Sequence, residues 1–230
     1  MKKIIFILCV FYCLTTIAQN YELTYTISND KEKILQKIKE NKQQFDDTAL
    51  FKKMINESKP IDFKVIANSS SLYSYKKRKV KPDNILQNLN NLLYLDSEEY
   101  FVDFLNDEYV FKKNISSKTY YVNFAPSEYN FVNNKTEVIN GYRCNLAENK
   151  NNNIKVWYTK DIPLNAGPKK YLGLPGLVVK VELSEVNFIT LKSIERTTDI
   201  IKEVPDDIQI IEFEDYNSEI GKMSKNFFEN

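Results

Sequence analysis

The sequence predicts an α+β fold that is mainly antiparallel β. The expected form is a single meander sheet, either an open half-barrel or sandwich-like, with an N-terminal helix pair and a C-terminal helix. Three observations carry this reading. Short aromatic-rich segments alternate apolar and polar residues and lie close together, which favours antiparallel hairpins over βαβ units. Asn140-Gly141 stands between two such segments, and a type I′ turn needs positive φ at both of its central positions. Apolar residues take helical spacing only near the two ends of the chain.

Residues 21–27 alternate Tyr, Leu, Tyr and Ile with Glu and Thr, the pattern of a half-buried strand. Ser28-Asn29-Asp30 offers N-cap side chains to a helix over 31–40, whose apolar stripe is Ile34, Leu35 and Ile38. A second helix follows Asp46-Asp47, with Leu50, Phe51, Met54 and Ile55 on one face, and Pro60 closes it. Strands are expected at 61–65 and 71–76, with Asn68-Ser69-Ser70 as the turn between them. The basic run 75–81 is the one dense charge cluster and reads as a solvated loop or strand edge. Residues 83–95 read as a short helix or an irregular insert. Further strands are expected at 100–104, 108–112, 118–124, 154–159 and 177–183, with a hairpin over 186–194. Tyr216, Ile220, Met223 and Phe227 recur at helical spacing and mark the last helix.

The chain opens as an export signal. Lys2 and Lys3 precede an apolar stretch over 4–14, and Thr16-Ile17-Ala18 supplies small residues for cleavage before Gln19. That stretch is shorter than the roughly 20 apolar residues a spanning helix needs. Residues 19–230 then form one domain, exported to the periplasm or cell exterior, with no transmembrane segment in the mature chain. Cys13 follows Val10-Phe11-Tyr12 rather than the small residues that lipidation needs. Of the 3 cysteines only Cys144 lies outside the signal, so a packed core rather than a disulfide holds the domain. Lys plus Arg is 32 against 31 for Asp plus Glu, a balance that offers no field for nucleic acid. Histidine is absent, which removes the commonest general base and metal ligand. No metal-ligand spacing and no cofactor motif stand out. Cys144 accordingly reads as a buried, inert thiol.

Residues 157–177 depart from the rest. Gly167, Gly173 and Gly176 are three of the chain's 5 glycines, and Pro163, Pro168 and Pro175 are three of its 7 prolines. They are interleaved with Trp157, Tyr158, Asp161, Tyr171, Leu174 and Leu177. Proline fixes φ and glycine permits positive φ, so the run specifies an ordered, folded-back loop. Pro175-Gly176 suits the centre of a type II turn. Gly173-Leu174-Pro175-Gly176-Leu177-Val178 resembles the signature of the GLPGLI family of exported Bacteroidetes proteins, with Val178 in place of the final isoleucine. Ile139-Asn140-Gly141-Tyr142-Arg143-Cys144 resembles the family's I-x-G-Y-x-C stretch. Trp157 to Pro163, with Gly167-Pro168, resembles its W-[FY]-T-x-x-I-P…G-P stretch. The resemblance covers 139–182 and implies export and a β-rich fold, but no established activity.

Two functions are expected from these residues. One is a non-enzymatic module that binds an apolar ligand, a peptide or an outer-membrane transporter, with residues 157–177 as candidate binding loop. The other is a carboxylate-dependent hydrolase using Asp161, which needs a second carboxylate close by. Two structural roles compete with them: Asp161 can cap the turn before Ile162-Pro163, and Trp157, Tyr171 and Leu174 can plug the end of a barrel or sandwich. Asp47-Thr48-Ala49 also matches a short O-glycosylation acceptor pattern.

Overall fold

A computed structural model describes residues 19–40, 48–76, 99–115 and 117–228. The export signal, Lys77 onward in the basic run, the 83–95 segment and Asp47 of the glycosylation pattern lie outside the described residues.

Twelve strands form one sheet: β1 (Asn20–Asn29), β2 (Ile61–Ala67), β3 (Ser71–Tyr75), β4 (Glu99–Asp103), β5 (Glu108–Ile115), β6 (Lys118–Asn123), β7 (Tyr129–Ile139), β8 (Tyr142–Asn149), β9 (Lys155–Thr159), β10 (Leu177–Glu182), β11 (Asn187–Thr197) and β12 (Ile210–Ile211). Helices α1 (Lys31–Glu40) and α2 (Thr48–Glu57) fall between β1 and β2, and α3 (Phe213–Phe228) is the last described element. Asp30 caps α1 by accepting the Lys33 backbone N–H at 3.1 Å. No described helix is long and apolar enough to cross a membrane.

The strand order is β12-β6-β5-β4-β3-β2-β1-β11-β10-β9-β8-β7, so the sheet is two meanders joined at β1. From β1 the chain steps outward to β6. It restarts at the far edge with β7 and steps back to β11, which pairs with β1 from Asn29↔Asn187 to Asn20↔Thr197. All pairings are antiparallel except β12 with β6. A single sheet therefore agrees with the sequence, while a simple meander does not.

The connection from β6 to β7 forces the sheet to curl. Ten strand spacings separate them in the order, about 48 Å if the sheet were flat. The six steps from Asn123 to Tyr129 reach at most about 22 Å. The two ends of the sheet must therefore approach each other around a common interior.

That interior holds the main core, with Leu23, Tyr25, Val65, Ala67, Leu72, Leu146 and Leu191 all within 2% of full burial. Alternation along β4–β6 splits their side chains between two faces. Tyr100, Phe111, Tyr120 and Val122 pack with Tyr216 of α3 on one face. Tyr73, Phe101, Val110 and Tyr121 lie on the other, where Ile201, Val204 and Ile208 cover them. Residues 198–209 thus cross the outside of the sheet before β12 docks on β6.

Candidate functional site

The loop over 160–176 is built from tight turns. The N–H of Leu164 bonds the carbonyl of Ile162 (2.8 Å), Ala166 bonds Leu164 (2.7 Å) and Gly176 bonds Leu174 (2.7 Å). These are three γ-turns, two of them centred on Pro163 and Pro175, whose fixed φ suits the inverse form. The expected type II turn at Pro175-Gly176 is therefore replaced. Its closing donor, the Leu177 N–H, points instead to the carbonyl of Ile162 (3.3 Å). The Val178 N–H bonds Ala166 (3.0 Å), which lays the loop along the start of β10.

Glycine is required at two points. At Gly167 a Cβ would lie 1.9 Å from the carbonyl oxygen of Tyr171. Gly176 has φ +142°, and its Cβ would lie 2.1 Å from the carbonyl oxygen of Thr159. Gly173, with φ +82°, has nothing within 4 Å.

Most of the motif faces the core. Trp157, Tyr158, Leu174 and Leu177 are buried, as are Gly167, Pro168 and Gly176. Trp157 Nε1 donates to Glu182 Oε1 at 3.0 Å, and Lys180 Nζ reaches the same oxygen at 2.9 Å. Burial opposes ionisation of Glu182, but the bonds from Lys180 and Trp157 outweigh it and hold the carboxyl below its ordinary value. Tyr158 lies under Phe131 of β7, with ring centroids 6.2 Å apart. Pro163, Gly173 and Pro175 are exposed. So is Asp161, whose backbone N–H is itself bonded by Thr159 Oγ1 (3.2 Å); Thr159 makes the cap expected of Asp161. In the hairpin, Asn140 and Gly141 have φ of 51° and 83°, as a type I′ turn demands. Tyr142 is half-buried. Cys144 is fully buried and burial pushes its thiol up to about 11. Among the described residues no three His, Cys, Asp or Glu side chains gather as a metal site.

A groove of about 1240 Å³ opens elsewhere, and of residues 157–177 only Lys169, Lys170 and Tyr171 reach it. Its floor joins distant parts of the curled sheet: Ile27 of β1, Ile189 of β11, and Tyr100 and Phe111 of β4 and β5. Phe124 stacks edge-on to Tyr100 (5.5 Å) and Tyr109 (5.8 Å). Tyr216 stands edge-on to Phe111 at 5.6 Å, and Phe213 lies 6.4 Å from it, so the first turn of α3 forms one wall. Phe213 is 45% and Ile210 40% exposed at the mouth. Lys169, Lys170, Asp107, Glu108, Glu212 and Glu214 supply charge of both signs around the rim. Asn123 Nδ2 donates to Glu212 Oε1 at 2.8 Å, tying β6 to the start of α3. Sequence reasoning expected the candidate site in the 157–177 loop and, apart from Tyr171, named as site residues none of those that line this groove. Its one trace was the aromatic density of β4–β6, because the lining is gathered from segments nearly two hundred residues apart.

A family model described as "Protein of unknown function (Porph_ging)" matches residues 108–180, which hold β5 to the start of β10 and the whole loop. No curated protein matches the sequence. Among solved structures, PNGF-II in its P21 crystal form is 18% identical with a TM-score of 0.56 over 87% of this chain. PNGF-II in its C2 form is 21% identical with a TM-score of 0.52 over 89%. The chain spans about a third (33%) of the length of either one. The likeness is one of fold, recurring as part of a longer protein.

Proposed function

We propose that this chain is an exported binding module of the GLPGLI type. On this reading the curled sheet is an open half-barrel whose inner groove holds an apolar or aromatic ligand, such as a lipid or a peptide side-chain cluster. The observation that carries the reading is the groove itself. At about 1240 Å³ it exceeds the roughly 300–1,000 Å³ of ordinary small-molecule pockets, and aromatic rings line it. Rings with partly exposed faces at the mouth, Phe213 above all, are the groups that gain most from being covered. The charged rim then fixes orientation rather than supplying affinity. Export by the signal at 1–18 would place the module in the periplasm or outside the cell, where an outer-membrane transporter is a fitting neighbour. In this proposal the motif loop acts structurally: it packs the core and presents Tyr171 to the groove.

Native mass spectrometry of the protein from its exported fraction tests this. The expected result is a co-purifying adduct of several hundred daltons that Phe213→Ala depletes while circular dichroism stays unchanged. A bare protein mass, together with no saturable binding of an apolar fluorescent probe, overturns the proposal.

A further inference from the structure

We propose that two copies of this chain pair edge to edge through β7, continuing the sheet across a two-fold axis at Thr136. Among the described residues β7 ends the sheet, so one row of its backbone groups has no described strand beside it. Which groups those are follows from the hairpin. A two-residue type I′ turn makes its flanking residues, Ile139 and Tyr142, a hydrogen-bonded pair, and the pattern alternates from there. Glu137↔Cys144 is therefore hydrogen-bonded across to β8, while Val138↔Arg143 and Thr136↔Asn145 are not. The N–H and C=O of Thr136 and Val138 accordingly point outward, toward a neighbour.

The side chains say which neighbour fits. An antiparallel copy with Thr136 facing its own equivalent exchanges both backbone hydrogen bonds there. The same register sets Lys135 directly opposite Glu137 of the second copy, and Glu137 opposite its Lys135. These are non-hydrogen-bonded pairs, in which side chains approach most closely. All three residues are exposed, and Val138 next to them is 71% exposed. The strand is thus charge-complementary to itself only in the two-fold register. The irregularity between Phe131 and Thr136, where Asn134 takes φ 59°, keeps Asn134 and the residues before it out of regular pairing, so Val138, which would face Asn134 of the second copy, gains no regular partner. That limits the contact to a short stretch, so the association is expected to be weak, concentration-dependent and weakened by salt.

Sedimentation velocity from micromolar to near-millimolar protein should show a monomer–dimer equilibrium. Lys135→Glu places like charges opposite each other at both pairs and should weaken it about tenfold. The double swap Lys135→Glu with Glu137→Lys should restore it. Hydrogen exchange places the contact: the Thr136 amide should slow as dimer forms, while Glu137 and Ile139 are slow in both states. A protein monomeric throughout overturns the proposal. So does a dimer indifferent to Lys135→Glu, or one whose Thr136 amide stays fast.

Discussion

Gly176→Ala tests whether the motif loop is held by backbone geometry. Two costs add. At φ +142° an L side chain is in a region that glycine alone visits freely, a strain of about 1–3 kcal/mol. The new Cβ would also sit 2.1 Å from the Thr159 carbonyl oxygen. That atom is backbone at the end of β9, so no rotamer change relieves the overlap, and shifting a packed strand costs a further ~1–3 kcal/mol. The sum is about 4 kcal/mol, a large part of the 5–15 kcal/mol typical of folded domains. Gly173→Ala is the internal control. Its φ of +82° carries about 1–2 kcal/mol of strain, but a Cβ there meets nothing within 4 Å. Urea unfolding followed by the sole tryptophan, Trp157, which is 4% exposed and two residues from Thr159, gives the readout. With a slope of about 2 kcal/mol per molar, the midpoint of Gly176→Ala should fall by roughly 2 M, and that of Gly173→Ala by no more than about half as much. Equal shifts for the two variants, or a Gly176→Ala midpoint close to wild type, would refute the reasoning.

Two further outcomes follow from one buried and one half-buried polar contact. Tyr25→Phe removes the 2.6 Å bond from the fully buried Tyr25 hydroxyl to the carbonyl of Val178, which ties β1 to β10 across β11; calorimetry should register a loss of about 1–2 kcal/mol. Glu182 is held below its ordinary value of 4.5, so the unfolded chain binds that proton first as pH falls. Its contribution is complete above about 4.5 and disappears as pH drops through the lower folded value; Glu182→Gln should flatten that part of the acid limb in unfolding titrations while leaving the slope near neutrality unchanged.

What was legible in the sequence is what neighbouring residues decide among themselves. Asn140-Gly141 demanded a type I′ turn because both positions need positive φ. Alternation marked β1 and the first half of β2, where one face is buried, and Asp30 announced the start of α1. The glycines and prolines of 160–176 announced an ordered loop, though not its γ-turns: those depend on the Leu177 and Val178 N–H groups bonding Ile162 and Ala166, contacts outside any turn signature. Strand β7 was visible only at Val138-Ile139. Its polar stretch carries no alternation, since an edge strand beside β8 needs no second buried face. The seating of β1 between β2 and β11 and the return of 210–211 to the far edge as β12 were not readable at all, because strand adjacency is settled by which apolar faces meet and not by any one strand's pattern. The groove belongs to the same class. It exists because a short connection after β6 pulls the ends of a twelve-stranded sheet together, which brings Ile27, Phe111, Tyr171 and Tyr216 around one space that no local stretch of sequence encodes.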